Sequence, residues 1–218
     1  MKKKHLRALS SLENWLKEQG LLTKELNSSL GLVRGVVEAS VETKPDIMEK
    51  LPPPSEIDGD LLGIALYTDG GCRGNPGPGA YAFVVQNVAG EVLIEGGEFE
   101  SYTTNNKMEL SGPINGLREI ISILPSLGKD PLLTRVKVMT DSKYVVDGMK
   151  SWVEGWKARG WKKADNKPPE NLEYWQQLDV LKKSFMAIEW IWIKGHGGHP
   201  QNEYCDRKVN EAMDEHLS

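Results

Sequence analysis

The sequence has little cysteine and no long hydrophobic run. Its 218 residues include only two cysteines, Cys72 and Cys205, too few for a disulfide framework and without the paired spacing of a zinc site. No stretch reaches the roughly 20 apolar residues of a membrane span, and the basic start MKKKHLRALSS has no apolar core like that of a secretory leader. We therefore expect a globular, cytoplasmic protein with no membrane partner.

Charge is unevenly distributed along the chain. The net charge is −4, yet the segment Lys150–Lys167, KSWVEGWKARGWKKADNK, holds six cationic and two acidic residues. The rest of the chain is therefore distinctly acidic. A basic segment on an acidic protein is typical of a surface that meets phosphate groups, although a run of charges is also found on any solvated face.

Turn residues and hydrophobic periodicity divide the chain near Asp60. Before it, Leu9, Leu12, Trp15 and Leu16 predict a helix over Leu6–Leu22, and the LPPPSE run marks Val41–Asp60 as a linker. Beyond it, the pattern predicts an α/β layer fold with a mixed sheet. Strands are expected at Leu61–Thr68, Ala80–Val88, Glu91–Phe99, Val136–Thr140 and Ile188–Ile193. Helices are expected at Thr104–Leu124, Ser142–Met149, Glu173–Lys183 and Asn202–His216.

A glycine-rich stretch follows the first of these strands, in YTDGGCRGNPGPGAYAFVV. It lacks the Gly-Lys-Ser/Thr of a P-loop, and its glycines lead into another strand, whereas a dinucleotide fingerprint leads into a helix. Glycine and proline at these positions fit a wide hairpin turn. They equally fit a support that holds Asp69 for chemistry, because backbone without side-chain cover leaves room for a cation or a substrate beside that carboxylate.

Three further carboxylates lie at comparable element ends. Asp141 follows the strand VKVMT, Glu109 lies early in the helix after TTNN, and Asp206 lies early in the last helix. Each alone fits a solvated surface or a favourable charge at a helix start. If the corresponding strand and helix ends meet, however, these three acidic side chains converge with Asp69, and a hard cation such as Mg²⁺ is needed to neutralise the four.

At these residues the chain resembles a known family. The matching blocks are YTDGGCRGNPGPGAYAFVV, TTNNKMEL, VMTDSKYV, WVEGWKARGWKKADNKPPENLEYWQQL and IKGHGGHPQNEYCD, in this order. Together they closely resemble type I ribonuclease H of the bacterial kind over roughly Leu62–Met213. The resemblance implies a ribonuclease H-like fold, a five-stranded mixed sheet flanked by helices, here with a mostly helical N-terminal extension. It also implies an endoribonuclease that cleaves the RNA strand of RNA/DNA hybrids and leaves 5′-phosphate and 3′-hydroxyl ends.

The resemblance also implies roles for individual residues. Asp69, Glu109, Asp141 and Asp206 would bind two Mg²⁺ ions, for which Mn²⁺ can substitute. His196 would assist the leaving group from a mobile loop. A lone histidine between glycines is otherwise an ordinary exposed loop residue.

Substrate contacts are expected on two surfaces. The family reads the minor groove of the hybrid with backbone and small side chains, which here match Gly70, Gly71, Cys72, Asn75, Asn105 and Asn106. It holds a DNA phosphate in a pocket that matches Thr104 and Asn171. The basic segment would track the DNA strand through Trp152, Trp156, Lys157, Arg159, Lys162 and Lys163. Core packing is the alternative for the tryptophans, Trp161 included. The sequence departs from the family at Lys143, where glutamine is frequent, and at Tyr102, where arginine is common.

Residues 1–60 fall outside the resemblance. Their amphipathic helix could pack on the catalytic domain of residues 61–218, which we expect to be monomeric, or could mediate self-association or recruit a protein partner. A nucleic-acid-binding module that has lost turnover, or a domain serving a retroelement-like polymerase, is the alternative to a free-standing enzyme. The presence of all four carboxylates favours the enzyme.

Overall fold

The structure, a computed structural model, describes residues 10, 12–24, 26–27, 29–31, 51–60 and 63–217. The chain divides into two compact units, Met1–Lys50 and Leu51–Ser218. Across these described ranges no helix combines the length and apolar character needed to cross a membrane.

The first unit contains a short helix over residues 12–18. A turn over residues 19–20 follows it, and Gly20 has a φ of +66°, the left-handed conformation typical of a residue that follows a helix. Leu16 is buried in this unit, whereas Leu12 and Trp15 are exposed. The predicted helix thus ends earlier than Leu22, and its residues 6–9 and 11 lie outside the described part of the chain, as do residues 41–50 of the predicted linker.

The second unit is built on a five-stranded sheet, which confirms the predicted fold class. Its strand order is β3-β2-β1-β4-β5. The first three strands form an antiparallel meander, and β4 and β5 run parallel to β1. The strands are β1 Gly63–Cys72, β2 Gly77–Asn87, β3 Val92–Thr103, β4 Arg135–Thr140 and β5 Ala187–Trp192.

Helices cover both faces of this sheet. They are α1 Asn105–Ile123, α2 Lys143–Asp147, α3 Val153–Ala158, α4 Leu172–Lys182 and α5 Pro200–Leu217. A π-helical turn, Gly148–Trp152, joins α2 to α3. Alternate residues of β1 point to opposite faces: Ile64 and Leu66 pack with α1 and α4, whereas Ala65 and Tyr67 pack with α5. The unit therefore has three layers, helix, sheet and helix.

The glycine-rich stretch is mostly strand, which corrects the predicted turn. β1 continues past Thr68 to Cys72, and Asp69, Gly70 and Gly71 pair with residues 80–82 of β2. The turn itself covers only residues 73–76 and contains a cis bond between Asn75 and Pro76. The glycine content indicated a turn, but the glycines are required here by close helix packing as well as by the turn.

The compact unit begins at Leu51, nine residues before Asp60, near which the sequence predicts the boundary. Leu51 and Ile57 are buried in the core cluster on the α5 face. Ile57 is the last residue of a 3₁₀ turn over Ser55–Ile57. Two apolar side chains thus attach a proline-rich segment that reads as a linker in the sequence.

Candidate active site

Asp69 is placed by a close contact between β1 and α1. A Cβ on Gly70 would overlap the backbone of Met108 and Glu109, so only glycine lets the helix approach this closely. The Gly70 amide donates a hydrogen bond of 2.8 Å to the Asp69 Oδ1. The glycine next to Asp69 therefore fixes this carboxylate beside the first turns of α1.

Glu109 is held from two sides by neutral donors. Ser142 Oγ donates to its Oε2 at 2.7 Å, and Asn105 Nδ2 donates to its Oε1 at 2.9 Å. Burial raises the pKa of the Glu109 carboxyl; the bond from Ser142 opposes this rise and the charge of Asp141 adds to it. Both carboxylate oxygens are thus oriented before any ligand binds.

Asp141 follows the last residue of β4 and is enclosed by the chain that leads from β5 into α5. Trp192 Nε1 donates to its backbone carbonyl at 2.9 Å, and Asn202 Nδ2 donates to its Oδ2 at 3.3 Å. A Cβ on Gly195 would lie 2.5 Å from the same Oδ2. The loop after β5 therefore passes directly over this carboxylate.

Asp206 lies one helical turn after Asn202 in α5. Asn210 Nδ2 donates to its Oδ1 at 3.2 Å. The neighbouring Cys205 is fully buried, and its Sγ donates to the Tyr67 carbonyl at 3.6 Å. Burial raises the pKa of the Cys205 thiol, so this cysteine is a packing residue that fixes α5 against β1.

The four carboxylates interact across an open site. Burial first, and then the charge of Asp141, raises the pKa of Asp69 to about 7; Asp206 and Glu109 add to the rise and the Gly70 amide opposes it. Throughout the described part of the chain, no three acidic, histidine or cysteine side chains are close enough to enclose a metal ion in this conformation. The charges of these four acids repel one another, and a cation would relieve that repulsion.

His196 lies at the edge of this site, in the loop of residues 193–199 between β5 and α5. It is exposed and has a φ of +49°, a left-handed conformation that residues other than glycine adopt uncommonly. The preceding residue, Gly195, is the one that contacts Asp141. His196 thus directly follows the residue that lies against Asp141, on a segment without regular structure.

The predicted phosphate-pocket residues share one cavity of about 440 Å³. It is lined by Asn75, Thr104, Asn106, Lys107, Glu170 and Asn171. Thr104 caps α1 by accepting a hydrogen bond from the Lys107 amide, and Asn75 Oδ1 accepts one from the Asn105 amide at 3.3 Å. Asn171 Nδ2 donates to the Tyr144 hydroxyl at 3.2 Å.

Cys72 ends β1 beside this region and is partly buried. Its Sγ lies 3.3 Å from the Gly77 carbonyl and 3.6 Å from the Thr103 carbonyl. Burial raises the pKa of the Cys72 thiol, which suits a small packing side chain at a strand end.

Two of the three tryptophans in the basic segment pack around a fourth. Trp175 is fully buried in α4, and the ring centroids of Trp152 and Trp156 lie 6.4 Å and 5.7 Å from it. Trp152 is nevertheless 36% exposed. The core interpretation thus holds for one side of Trp152, while its other side is open to solvent.

The cations of the basic segment are not equivalent. Lys157 Nζ lies 2.7 Å from an Asp179 oxygen and 3.4 Å from a Glu154 oxygen. Arg159 Nε donates to the Lys162 carbonyl at 3.1 Å, and Lys163 Nζ lies 3.7 Å from Asp165. Lys157 therefore has a structural role that the sequence analysis, which grouped it with the phosphate contacts, did not identify.

Sequence reasoning also missed the residues that orient the carboxylates. Ser142, Asn202 and Gly195 each contact one of the four acids, yet their residue types are common in loops and helix starts. The spacing Asn202 to Asp206, one helical turn, was the single available signal that these two side chains share a face.

The comparisons with known proteins agree with this geometry. The profile of the RNase H family matches residues 63–214. The chain belongs to the ribonuclease H family. It is 44% identical to a ribonuclease H of Brucella ovis over 151 residues, 69% of this chain and 90% of that protein. It is also 44% identical to a ribonuclease H of Cupriavidus metallidurans over 150 residues, 69% of this chain and 94% of that protein.

Solved structures of the family share the fold. The N-terminal ribonuclease H domain of a Mycobacterium tuberculosis protein is 32% identical, with a TM-score of 0.55 and coverage of 70% of this chain and 94% of that one. LC11-RNase H1, solved in complex with an RNA/DNA hybrid, is 29% identical, with a TM-score of 0.55 and coverage of 71% and 99%. The ribonuclease H match includes all four carboxylates and His196, and it begins after the segment of residues 51–60.

Both departures from the family lie on the surface. Tyr102 is 74% exposed near the end of β3. Lys143, also exposed, places its ammonium 4.9 Å from the ring centroid of Trp192, the residue whose indole holds the Asp141 carbonyl.

Proposed function

We propose that this protein is an endoribonuclease that hydrolyses the RNA strand of RNA/DNA hybrids and leaves 5′-phosphate and 3′-hydroxyl ends. Membership of the ribonuclease H family supports this proposal, as does the RNA/DNA hybrid bound by LC11-RNase H1. The observation that carries it is the convergence of Asp141, Asp206 and Glu109 on Asp69, where burial first, and then the charges of these three acids, raises the pKa of Asp69 to about 7.

This donor set fits divalent metal ions. Carboxylate oxygens are the ligands that Mg²⁺ prefers, and their mutual repulsion is relieved by a cation. We propose that Asp69, Glu109, Asp141 and Asp206 hold two Mg²⁺ ions, for which Mn²⁺ can substitute. When bound, such ions would make the attacking water a better nucleophile and stabilise the charge on the phosphate and on the leaving 3′ oxygen.

The chain's own residues supply orientation and a proton. Ser142 and Asn105 fix the two oxygens of Glu109, and Asn202 restrains Asp141. His196, exposed at the edge of the site, is proposed to assist departure of the 3′ oxygen by moving a proton. These hydrogen bonds come from neutral side chains, so they orient the two acids without cancelling their charge.

Substrate recognition is proposed to use two surfaces. Gly70, Gly71, Cys72, Asn75, Asn105 and Asn106 would face the minor groove, where the 2′-hydroxyl distinguishes RNA from DNA. Thr104 and Asn171 would hold a DNA phosphate in the cavity that they line. Arg159, Lys162, Lys163 and the open side of Trp152 would meet the DNA strand, with Trp156 packed behind them.

A cleavage assay on four labelled substrates tests this proposal. RNA/DNA hybrid, duplex RNA, duplex DNA and single-stranded RNA are incubated with the protein in Mg²⁺ and in chelator. We expect cleavage of the hybrid alone, in its RNA strand, only with Mg²⁺. Hybrid binding without cleavage under any metal would instead support the binding module that has lost turnover.

The remaining expectations are part of the same proposal. We propose a cytoplasmic enzyme whose catalytic domain is monomeric and is preceded by an N-terminal extension. The exposed Leu12 and Trp15 in the first unit are consistent with either self-association or a protein partner for that extension.

A further inference from the structure

The segment Leu51–Asp60 is attached to the catalytic unit although the family match begins only at residue 63. Its apolar anchors, Leu51 and Ile57, are 8% and 1% exposed. At its far end the Asp60 carboxylate accepts two hydrogen bonds from Arg135, at 2.8 Å and 2.9 Å. This segment is thus fixed to the sheet at both ends.

Between the anchors, Glu56 reaches the base of the His196 loop. Its Oε1 lies 2.7 Å from His199 Nε2, and its Oε2 accepts a hydrogen bond of 2.7 Å from the Tyr67 hydroxyl. The His199 ring also packs on Tyr67, with centroids 5.2 Å apart. In the described residues, the buried His199 Nδ1 has no hydrogen-bond partner. Glu56 therefore provides the polar contact that orients this ring.

The acceptor role of Glu56 is well defined chemically. Burial opposes its ionisation, but the hydrogen bonds from His199 and Tyr67 outweigh burial and keep the pKa of Glu56 below its usual value. A carboxylate only accepts hydrogen bonds, so the proton of the histidine is on Nε2.

A second contact connects the same two parts of the chain. Gln201 Nε2 donates to the Pro52 carbonyl at 2.8 Å and to Gln86 Oε1 at 3.0 Å. Gln201 is 2% exposed. His199 and Gln201 flank Pro200, the first residue of α5, so the segment holds the point where the His196 loop enters the helix.

The loop between its two ends is short, and within it the Gly198 amide donates to Glu203 Oε1 at 2.9 Å. At the β5 end, the Ile193 amide donates to the Thr140 carbonyl at 3.0 Å. At the α5 end, the contacts of His199 and Gln201 with the segment complete the attachment. His196 lies only three residues before His199, so the position of His199 limits where His196 can lie.

We propose that the segment Leu51–Asp60 is a positioning element of the active site, in which Glu56 acts through His199 to set the location of the His196 loop beside the carboxylates. This inference rests on the proposed hybrid-cleaving activity. It assigns a role in the reaction to residues that precede the family match.

Single-turnover and steady-state kinetics on RNA/DNA hybrid test the proposal with four variants of the full chain. Glu56→Ala should lower kcat about three- to tenfold with little change in KM, because partial misplacement loses part of what an acid–base group contributes. Glu56→Gln, whose amide can still accept from His199, should recover most of the loss. His199→Phe, which keeps the ring packing but loses the hydrogen bond, should match Glu56→Ala. Glu119→Ala, which removes an exposed carboxylate of α1 outside the segment, is the matched control and should retain the parental kcat.

Repeating Glu56→Ala in a protein that carries His196→Ala separates an effect on the position of His196 from a general loss of stability. If Glu56 acts through the loop, Glu56→Ala should have almost no further effect on kcat once His196 is absent. An equal loss in both backgrounds, or an unchanged kcat in Glu56→Ala and His199→Phe, would overturn the proposal.

Hydrogen exchange gives a readout that does not depend on activity. Amides of residues 193–203 should exchange faster in Glu56→Ala and His199→Phe than in the parent, and should be unchanged in Glu119→Ala. If the parent fails to cleave hybrid, the proposed function is wrong, and the exchange result alone decides whether the segment holds the loop. Unchanged exchange in both variants would show that it does not.

Discussion

The Lys157 ammonium lies 2.7 Å from the carboxylate of Asp179, whose side chain is 6% exposed. A second cation, Lys183, lies 3.1 Å from the other oxygen of the same carboxylate. This arrangement joins α3, in the basic segment, to α4 beneath it. A cation assigned to phosphate binding from its sequence context thus stabilises the segment that carries it.

Replacing Asp179 by asparagine should destabilise the protein in a pH-dependent way. Burial opposes ionisation of Asp179, but the bonds from Lys157 and Lys183 outweigh it and lower the pKa of this acid. The stabilisation is therefore complete above the unfolded value of about 3.9 and is lost as the pH falls through the lower folded pKa. We expect Asp179→Asn to lose about 1–3 kcal/mol at pH 7. Urea unfolding across pH should show the difference closing below pH about 4; a constant difference would contradict the assignment.

The other cations of the basic segment should account for the salt dependence of substrate binding. Replacing Arg159, Lys162 and Lys163 by alanine should flatten the slope of log affinity against log salt by roughly 0.7 to 0.9 for each phosphate that the protein no longer neutralises. KM should rise strongly at moderate salt, with a smaller change in kcat. Lys129→Ala, at the opposite end of the sheet, serves as the charge control. An unchanged slope in the triple variant would show that these residues do not meet the backbone.

Gly70→Ala should damage both stability and activity. The added Cβ would overlap the backbone of Met108 and Glu109, so α1 must move away from β1. We expect a loss of about 1–3 kcal/mol, or more, in the free energy of unfolding, together with a fall in kcat as Glu109 is displaced. Gly155→Ala, where the nearest atom lies 3.5 Å from the new Cβ, is the helical control and should not destabilise the protein. Full activity in Gly70→Ala would contradict the packing account.

Gly195→Ala should lower kcat without a large effect on stability. A Cβ at this position would lie 2.5 Å from the Asp141 Oδ2, so the carboxylate or the loop must shift. A misplacement of a catalytic group by about 1 Å can lower the rate about a hundredfold. Gly198→Ala, in the same loop, meets no atom within 4 Å but has a φ of +80°, and so measures backbone strain alone. Equal kcat values for the two variants would show that contact with Asp141 is unimportant.

The sequence predicted the order of elements better than it predicted their ends. Apolar alternation located all five strands. The expected meeting of strand and helix ends agrees with the electrostatic effect of Glu109, Asp141 and Asp206 on Asp69, while their metal-binding role stays a prediction. The predicted ends are wrong where packing between distant segments determines where an element begins or ends. β1 runs four residues beyond its predicted end at Thr68, because α1 packs directly on Gly70. α5 begins at Pro200 and not at Asn202, since proline is favoured at the first helical position.

Contacts between distant segments could not be obtained from local patterns. Nothing near Lys157 indicates that Asp179, 22 residues later, neutralises it. Likewise the LPPPSE run resembles a linker until Ile57 is seen buried and Glu56 bonded to His199, 143 residues away. Such contacts depend on tertiary structure, which composition and periodicity do not indicate.

The most direct test of the central claim is the rate of Mg²⁺-dependent hybrid cleavage by Asp69→Asn, measured with the hybrid saturating. Asparagine keeps the shape of the side chain but removes the charge around which the other three carboxylates are arranged. The account predicts a loss of about a thousandfold or more in kcat, equivalent to several kcal/mol, with folding and hybrid affinity retained. Turnover close to the parental rate in the folded variant would contradict the assignment of Asp69 to a metal-dependent active site.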